Sequence, residues 1–212
     1  MAGRLVCLFG GTFDPIHRAH LRIADEARKR FALEQVLFVP AAHPPHKSSA
    51  GLAPFNDRFR MVEIACEPYP GLIASRLEEA EEQSYTINTL ERFRQQMTPG
   101  DRLFFLIGSD AFDDLCTWNR WQDVVKLTEF VVVARPGEQY RIPEGARVHP
   151  LDGLHLPVAS TTIRARLAAG EATPELPREV RRYIEERGLY GAGTRAIASP
   201  SRSTGRKHPS EA

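Results

Sequence analysis

After a short apolar run the chain reads Gly10-Gly11-Thr12-Phe13-Asp14-Pro15-Ile16-His17-Arg18-Ala19-His20. Paired glycines let a backbone approach a ligand closely and present its N–H groups. His17 and His20 stand three residues apart at the head of an amphipathic stretch. A helix beginning near Pro15 or Ile16 would put both imidazoles on one side of its first turn. A helix amino end favours anions. Imidazoles, amides and a helix amino end together suit a polyphosphate. Neither GxGxxG nor GxxxxGK[ST] occurs at this loop, so histidines would do the work of a phosphate-loop lysine. Two other readings stay open from these residues alone. One is a metal site, for which no third and fourth ligand stands at a familiar spacing. The other is a surface pair without a ligand.

The elements that must position this loop follow from hydrophobic period. Residues 4–9, 35–39, 72–75, 102–107 and 129–134 are short apolar runs that predict strands, and the last two are apolar enough to be buried on both faces. Residues 17–31, 55–66, 86–97, 109–126, 161–169 and 178–187 carry helical patterns. Alternation of this kind predicts an α/β fold, a Rossmann-like doubly wound parallel sheet with helices on both faces. Ligands bind such sheets beyond the carboxyl ends of the strands. The segments to search are therefore 10–20, 40–47, 108–118 and 135–137. The acidic run 78–82 is expected on a solvated face. Residues 1–190 are expected to form one domain. Residues 191–212 are rich in Gly, Ser, Pro and Arg with almost no large apolar residue, and are expected to be a disordered basic tail.

Composition sets limits on function. The 212 residues hold 28 Lys+Arg against 27 Asp+Glu, for a formal charge of +1. That balance argues against a broad nucleic-acid surface. The tail holds Arg195, Arg202, Arg206 and Lys207 against Glu211, so the first 190 residues have 24 basic and 26 acidic side chains. A polyphosphate would then be attracted by local groups rather than by bulk charge. No apolar run approaches the ~20 residues of a membrane span, and the opening residues do not have the pattern of a signal peptide. Three scattered cysteines, Cys7, Cys66 and Cys116, fit reduced thiols and a cytoplasmic location.

The loop GGTFDPIHRAH resembles the GxFDPxHxGH signature of the nucleotidyltransferases that carry an HxGH motif. Further segments follow in the order found in bacterial nicotinate-nucleotide adenylyltransferases. They are Pro44-Pro45-His46-Lys47, Ser84-Tyr85-Thr86 with Thr89-Leu90, Ile107-Gly108-Ser109-Asp110, Thr117-Trp118, Arg135-Pro136-Gly137, Ser160-Thr161-Thr162-Ile163-Arg164 and Gly188-Leu189-Tyr190. The resemblance runs from about Leu5 to Tyr190. Two positions depart from it: the HxGH glycine is Ala19, and Ala159 stands where the family usually has a serine.

The resemblance implies adenylyl transfer from ATP to nicotinate mononucleotide, giving nicotinate adenine dinucleotide and pyrophosphate, with Mg²⁺ carried mainly by the ATP phosphates and no protein metal site. It implies His17, His20 and Arg164 as catalytic groups. Gly10, Gly11, Thr12, Phe13, Gly108, Ser160, Thr161 and Ile163 would bind ATP, with Ser160 or Thr161 capping the helix that carries Arg164. His46, Lys47, Tyr85, Thr86, Asp110, Trp118 and Arg135 would bind the acceptor. Asp14 is expected to support the loop through local hydrogen bonds. Competing readings are a sister enzyme acting on nicotinamide mononucleotide or phosphopantetheine, and a nucleotide-binding domain without turnover. No nucleic-acid or membrane partner is expected, and a homo-oligomer stays open.

Overall fold

A computed structural model describes residues 3–44, 51–134, 137–154 and 158–192. Six strands form one parallel sheet in the order β3-β2-β1-β4-β5-β6. They are β1 (Leu5–Gly11), β2 (Gln35–Pro40), β3 (Leu72–Ala74), β4 (Arg102–Gly108), β5 (Glu129–Val133) and β6 (Val148–Leu151). The strand order reverses between β1 and β4, which makes their carboxyl ends the switch point where such sheets bind ligands.

Side chains alternate across each strand and build two cores. On one face lie Cys7, Phe38, Phe104, Leu106 and Val131. They pack under α1 (Arg18–Arg30), α2 (Phe55–Cys66), α6 (Ser160–Ala168) and α7 (Arg178–Glu186). On the other lie Val6, Leu8, Leu37, Phe105, Ile107 and Val132, covered by α3 (Thr86–Arg94), α4 (Ser109–Asp113) and α5 (Trp121–Leu127). Period-two burial on both faces is what continuous apolar strands predict. The expected α/β fold, a doubly wound parallel sheet, is the one observed. No helix among the described residues is long and apolar enough to cross a membrane.

Three elements differ from the sequence expectation. The single helix over 109–126 is divided: α4 ends at Asp113, a 3-10 turn covers Asp114–Thr117, and Arg120 takes a left-handed φ of 51° before α5 begins. Asp113, Asp114 and Asn119 are turn formers that compete with helix for backbone partners. The first helix begins at Arg18 rather than near Pro15 or Ile16, and His17 is its N-cap. Strand β6 was not expected, because Pro150 interrupts its pattern. It is an edge strand, where proline is tolerated. A polar ladder ties it in: Arg102 on β4 donates twice to Glu129 on β5, at 2.9 and 2.7 Å, and His149 on β6 lies 2.8 Å from the same carboxylate.

Candidate active site

The loop after β1 is held in an unusual backbone. Phe13 has a φ of +48°, which costs roughly 1–2 kcal/mol for a residue with a Cβ. Its ring is 3 % exposed and wedged against Phe9, Phe38 and His20, and that packing offsets the strain. A Cβ on Gly11 would lie 2.9 Å from the Phe13 ring, so only glycine fits there. A Cβ on Gly108 would meet nothing within 4 Å, so packing does not demand that glycine and the β4 end is left open. Phe13 thus contributes a buried ring that supports His20.

The two histidines form one unit. Their rings stack with centroids 3.7 Å apart. The backbone N–H of His17 donates to His20 Nδ1 at 3.3 Å, so the proton of a neutral His20 ring is on Nε2. Burial pushes the His17 imidazole down to about 4. Of the two states that would serve a phosphate, the structure therefore favours a neutral ring for His17 over a cation. The methyl of Ala19, between them in sequence, is covered by protein at 5 % exposure.

Arg164 is brought to the same loop by α6. Its Nη1 donates to the Asp14 carbonyl at 2.7 Å and lies 3.5 Å from Asp14 Oδ2. Ser160 Oγ donates to the Pro15 carbonyl at 3.1 Å, stapling the start of α6 to the loop. Neither Ser160 nor Thr161 is the N-cap. That position is Ala159, which offers no side-chain acceptor, and Arg164 falls in the second turn. Thr161 is exposed in the first turn, whereas the Ile163 side chain is buried in the core at 1 % exposure. Ile163 is thereby removed as a side-chain contact, because its apolar position on α6 serves the core beneath.

Asp14 supports the loop as expected, but through distant partners. Its Oδ1 accepts from the Ala53 amide at 3.1 Å and the Tyr190 hydroxyl at 2.6 Å. Arg58, 2 % exposed, donates to the carbonyls of Ala53 and Thr12 at 3.0 and 2.8 Å. Sequence reasoning missed Arg58. Its one signal was a charge set on the apolar face of the helical pattern at Phe55, Phe59 and Val62.

Across the switch point, a cavity of about 210 Å³ is lined by Gly10, Gly11, Gly108, Phe105, Thr86 and Trp118, among others. It adjoins a wider recess lined by Tyr85, Thr86, Thr117 and Trp118. The half-buried Trp118 ring stands edge-on to Phe105, 6.2 Å away. Tyr85 is the N-cap of α3 and Thr86 its first residue, where an amide lacks an intrahelical acceptor. Trp118 and Trp121 are not neighbours on one helix, since the break at Arg120 separates them and leaves Trp118 at the recess. Asp110 is exposed in the first turn of α4, whose N-cap is Gly108, so it is not a capping residue. Glu78 also lines the cavity at 6 % exposure, which overturns its placement on a solvated face. The Thr89 hydroxyl on α3 donates to its carboxylate, and its buried position lines the cavity. His46, Lys47 and Arg135 lie outside the described residues. A larger groove of about 850 Å³ lies beside β3, apart from the carboxyl ends of β1 and β4. Its arginines Arg4, Arg76 and Arg92 are paired with Asp101, Glu79 and Glu81.

Comparison with known proteins adds the following. The family model described as Cytidylyltransferase-like matches residues 8–166. A probable nicotinate-nucleotide adenylyltransferase of Solibacter usitatus (strain Ellin6076) is 50 % identical over 185 residues, covering 87 % of this chain and 98 % of that protein. One of Exiguobacterium sibiricum is 43 % identical over 185 residues, covering 86 % and 97 %. Among solved structures, Plasmodium falciparum nicotinic acid mononucleotide adenylyltransferase complexed with NaAD superposes with a TM-score of 0.74 at 21 % identity, covering 89 % of this chain and 98 % of that one. At that identity the match bears on the fold alone.

Proposed function

Because this chain belongs to the cytidylyltransferase-like family, and within it to the nicotinate-nucleotide adenylyltransferases, we infer that its strand-end cleft joins a nucleoside triphosphate to a pyridine mononucleotide. It transfers the adenylyl group of ATP to nicotinate mononucleotide, giving nicotinate adenine dinucleotide and pyrophosphate, a step of NAD biosynthesis. One observation carries the assignment of residues: the His17–His20 pair and Arg164 converge on the loop that ends β1, next to the cavity of Thr86 and Trp118.

A phosphate oxygen of the mononucleotide attacks the α-phosphorus of ATP. A new P–O bond forms, the bond to the β-phosphate bridging oxygen breaks, and pyrophosphate leaves. The attacking group is already an anion, so no enzyme nucleophile is needed. The protein's work is alignment and charge stabilisation. In this reading His20 donates from Nε2, and His17 holds that tautomer through its amide. Arg164 exchanges its contact with Asp14 for the β- and γ-phosphates. Gly10, Gly11, Thr12 and the first amides of α6, at Ser160 and Thr161, line the triphosphate, and Gly108 leaves room for the nucleoside. On the acceptor side Trp118 offers a flat face to the pyridine. The first amides of α3, at Tyr85 and Thr86, receive the ring carboxylate, and Asp110 takes ribose hydroxyls. We assign acceptor contacts to His46, Lys47 and Arg135 from the family resemblance. A magnesium ion, assigned from the family resemblance to the nucleotide's own oxygens, would supply charge neutralisation on the triphosphate. Buried free thiols at Cys7 and Cys66 fit a reducing cytoplasm.

The test is pyrophosphate release with ATP, Mg²⁺ and each of two acceptors. Nicotinate mononucleotide should react much faster than nicotinamide mononucleotide. Equal rates would remove the nicotinate assignment, and no release with either would remove the reaction. In the same assay His20→Ala should lower turnover by roughly 10²–10³-fold, the scale of one lost transition-state donor. A loss of only a few-fold would place His20 away from the reacting phosphate.

A further inference from the structure

The acceptor cavity contains a carboxyl that the reaction described above does not use. Glu78 shares the cavity wall with Ser84, Thr86 and Trp118. Its Oε1 accepts the Thr89 hydroxyl at 2.6 Å, whereas its buried Oε2 has no hydrogen-bond partner among the described residues. The charged groups whose fields reach it are Arg92 on α3 and Arg58 on α2, and the hydroxyls of Ser84 and Thr89 face it. Arg92 is engaged with the Leu77 carbonyl and the Glu81 carboxylate, and Arg58 with backbone carbonyls. Burial is the largest influence on the Glu78 carboxyl and raises its proton affinity.

What fills the cavity decides what Glu78 can do. A ring carboxamide brings N–H donors, which an ionised carboxylate accepts. A ring carboxylate brings only acceptors and a second negative charge. Two carboxylates in one small site repel unless they share a proton, which turns repulsion into a charge-assisted hydrogen bond. We propose that Glu78 is a selectivity-determining residue of the acceptor pocket: it carries a proton and donates it from Oε2 when the pocket holds a ring carboxylate, and it is ionised when the pocket holds a ring carboxamide. The proton comes from solvent on binding and returns to it on release. This rests on the reading of the cavity as the pyridine site.

The experiment is the ratio of kcat/KM for nicotinate over nicotinamide mononucleotide, followed from about pH 6 to about pH 9, in wild type and in Glu78→Gln. The 5′-phosphate is common to both acceptors, so its titration cancels in the ratio. In wild type the ratio should fall by about tenfold per pH unit across this range, the slope of one proton. Glu78→Gln keeps a donor in place and should make the ratio independent of pH. A flat wild-type ratio, or the same slope in the variant, would overturn the proposal. Should the variant fail to fold, calorimetry of the wild type in two buffers of different ionisation enthalpy decides. Nicotinate mononucleotide should bind with more proton uptake than nicotinamide mononucleotide, and equal uptake would overturn the proposal. If wild type makes no product from nicotinate mononucleotide at any pH, the functional reading itself fails. If it makes product and the ratio does not move, only the role of Glu78 fails.

Discussion

His17 and His20 differ in state because of what covers them. His17 is 4 % exposed and its imidazole is held near 4 by burial, against 6.5 for a free ring. Between those values the unfolded chain binds a proton that the folded chain refuses. The contribution of His17 to stability therefore rises with pH across that window and is lost as pH drops from 6.5 toward 4. Thermal unfolding measured across that range should show a steeper acid loss in wild type than in His17→Gln, and parallel slopes would mean that His17 is solvated. The histidine pair was legible in the sequence because its spacing and its glycines are local. Arg58 and Glu78 were not, since a charge in an amphipathic pattern reads as solvent-facing until packing shows its partners. Asp14 lay between these cases: its supporting role was legible, but its partners Ala53 and Tyr190 are distant in sequence.

The helix α6 carries Arg164 to the loop and begins with a weak cap. Ala159 sits at the N-cap with extended backbone and offers no oxygen to the first amides. Ala159→Ser should supply that acceptor and stabilise the protein by about 1 kcal/mol. For a domain of this size that is an increase of roughly 2–4 °C in Tm. Unchanged Tm would mean those amides are already satisfied. The sequence pointed to a missing hydroxyl at this residue, and the structure shows which bond it would make. The breaks at Asp114–Thr117 and Arg120 were less visible, since a helical period over 109–126 continues through them. They matter to the site, because an unbroken helix would set Trp118 and Trp121 on adjacent turns of one face instead of leaving Trp118 beside Phe105 at the recess.

The whole molecule is closed by its last described residues. Tyr190 bonds Asp14 across 176 positions of sequence, and burial together with that bond keeps its hydroxyl protonated. Ala192 is 5 % exposed in the core, two residues beyond the expected domain limit at Tyr190. Residues 193–212, the expected tail less its first two residues, lie outside the described residues, and we propose that folding and turnover do not require them. A chain ending at Ala192 should then keep its Tm and its pyrophosphate release, whereas one ending at Gly188 should lose roughly 5 °C or more as Asp14 loses its partner. Loss of activity on the first truncation would make the tail part of the site. The sequence by itself determined the strand–helix alternation, the two-sided burial and the motifs at the strand ends, because these are written in residue type over spans of a few residues. Tertiary structure alone decided the protonation state of His17, the burial of Glu78 and Arg58, the hold of Asp14 on Arg164 and Tyr190, and the acceptance of Pro150 in an edge strand. Each of those depends on which distant groups exclude water from a site or supply its partners, and local pattern carries no record of that.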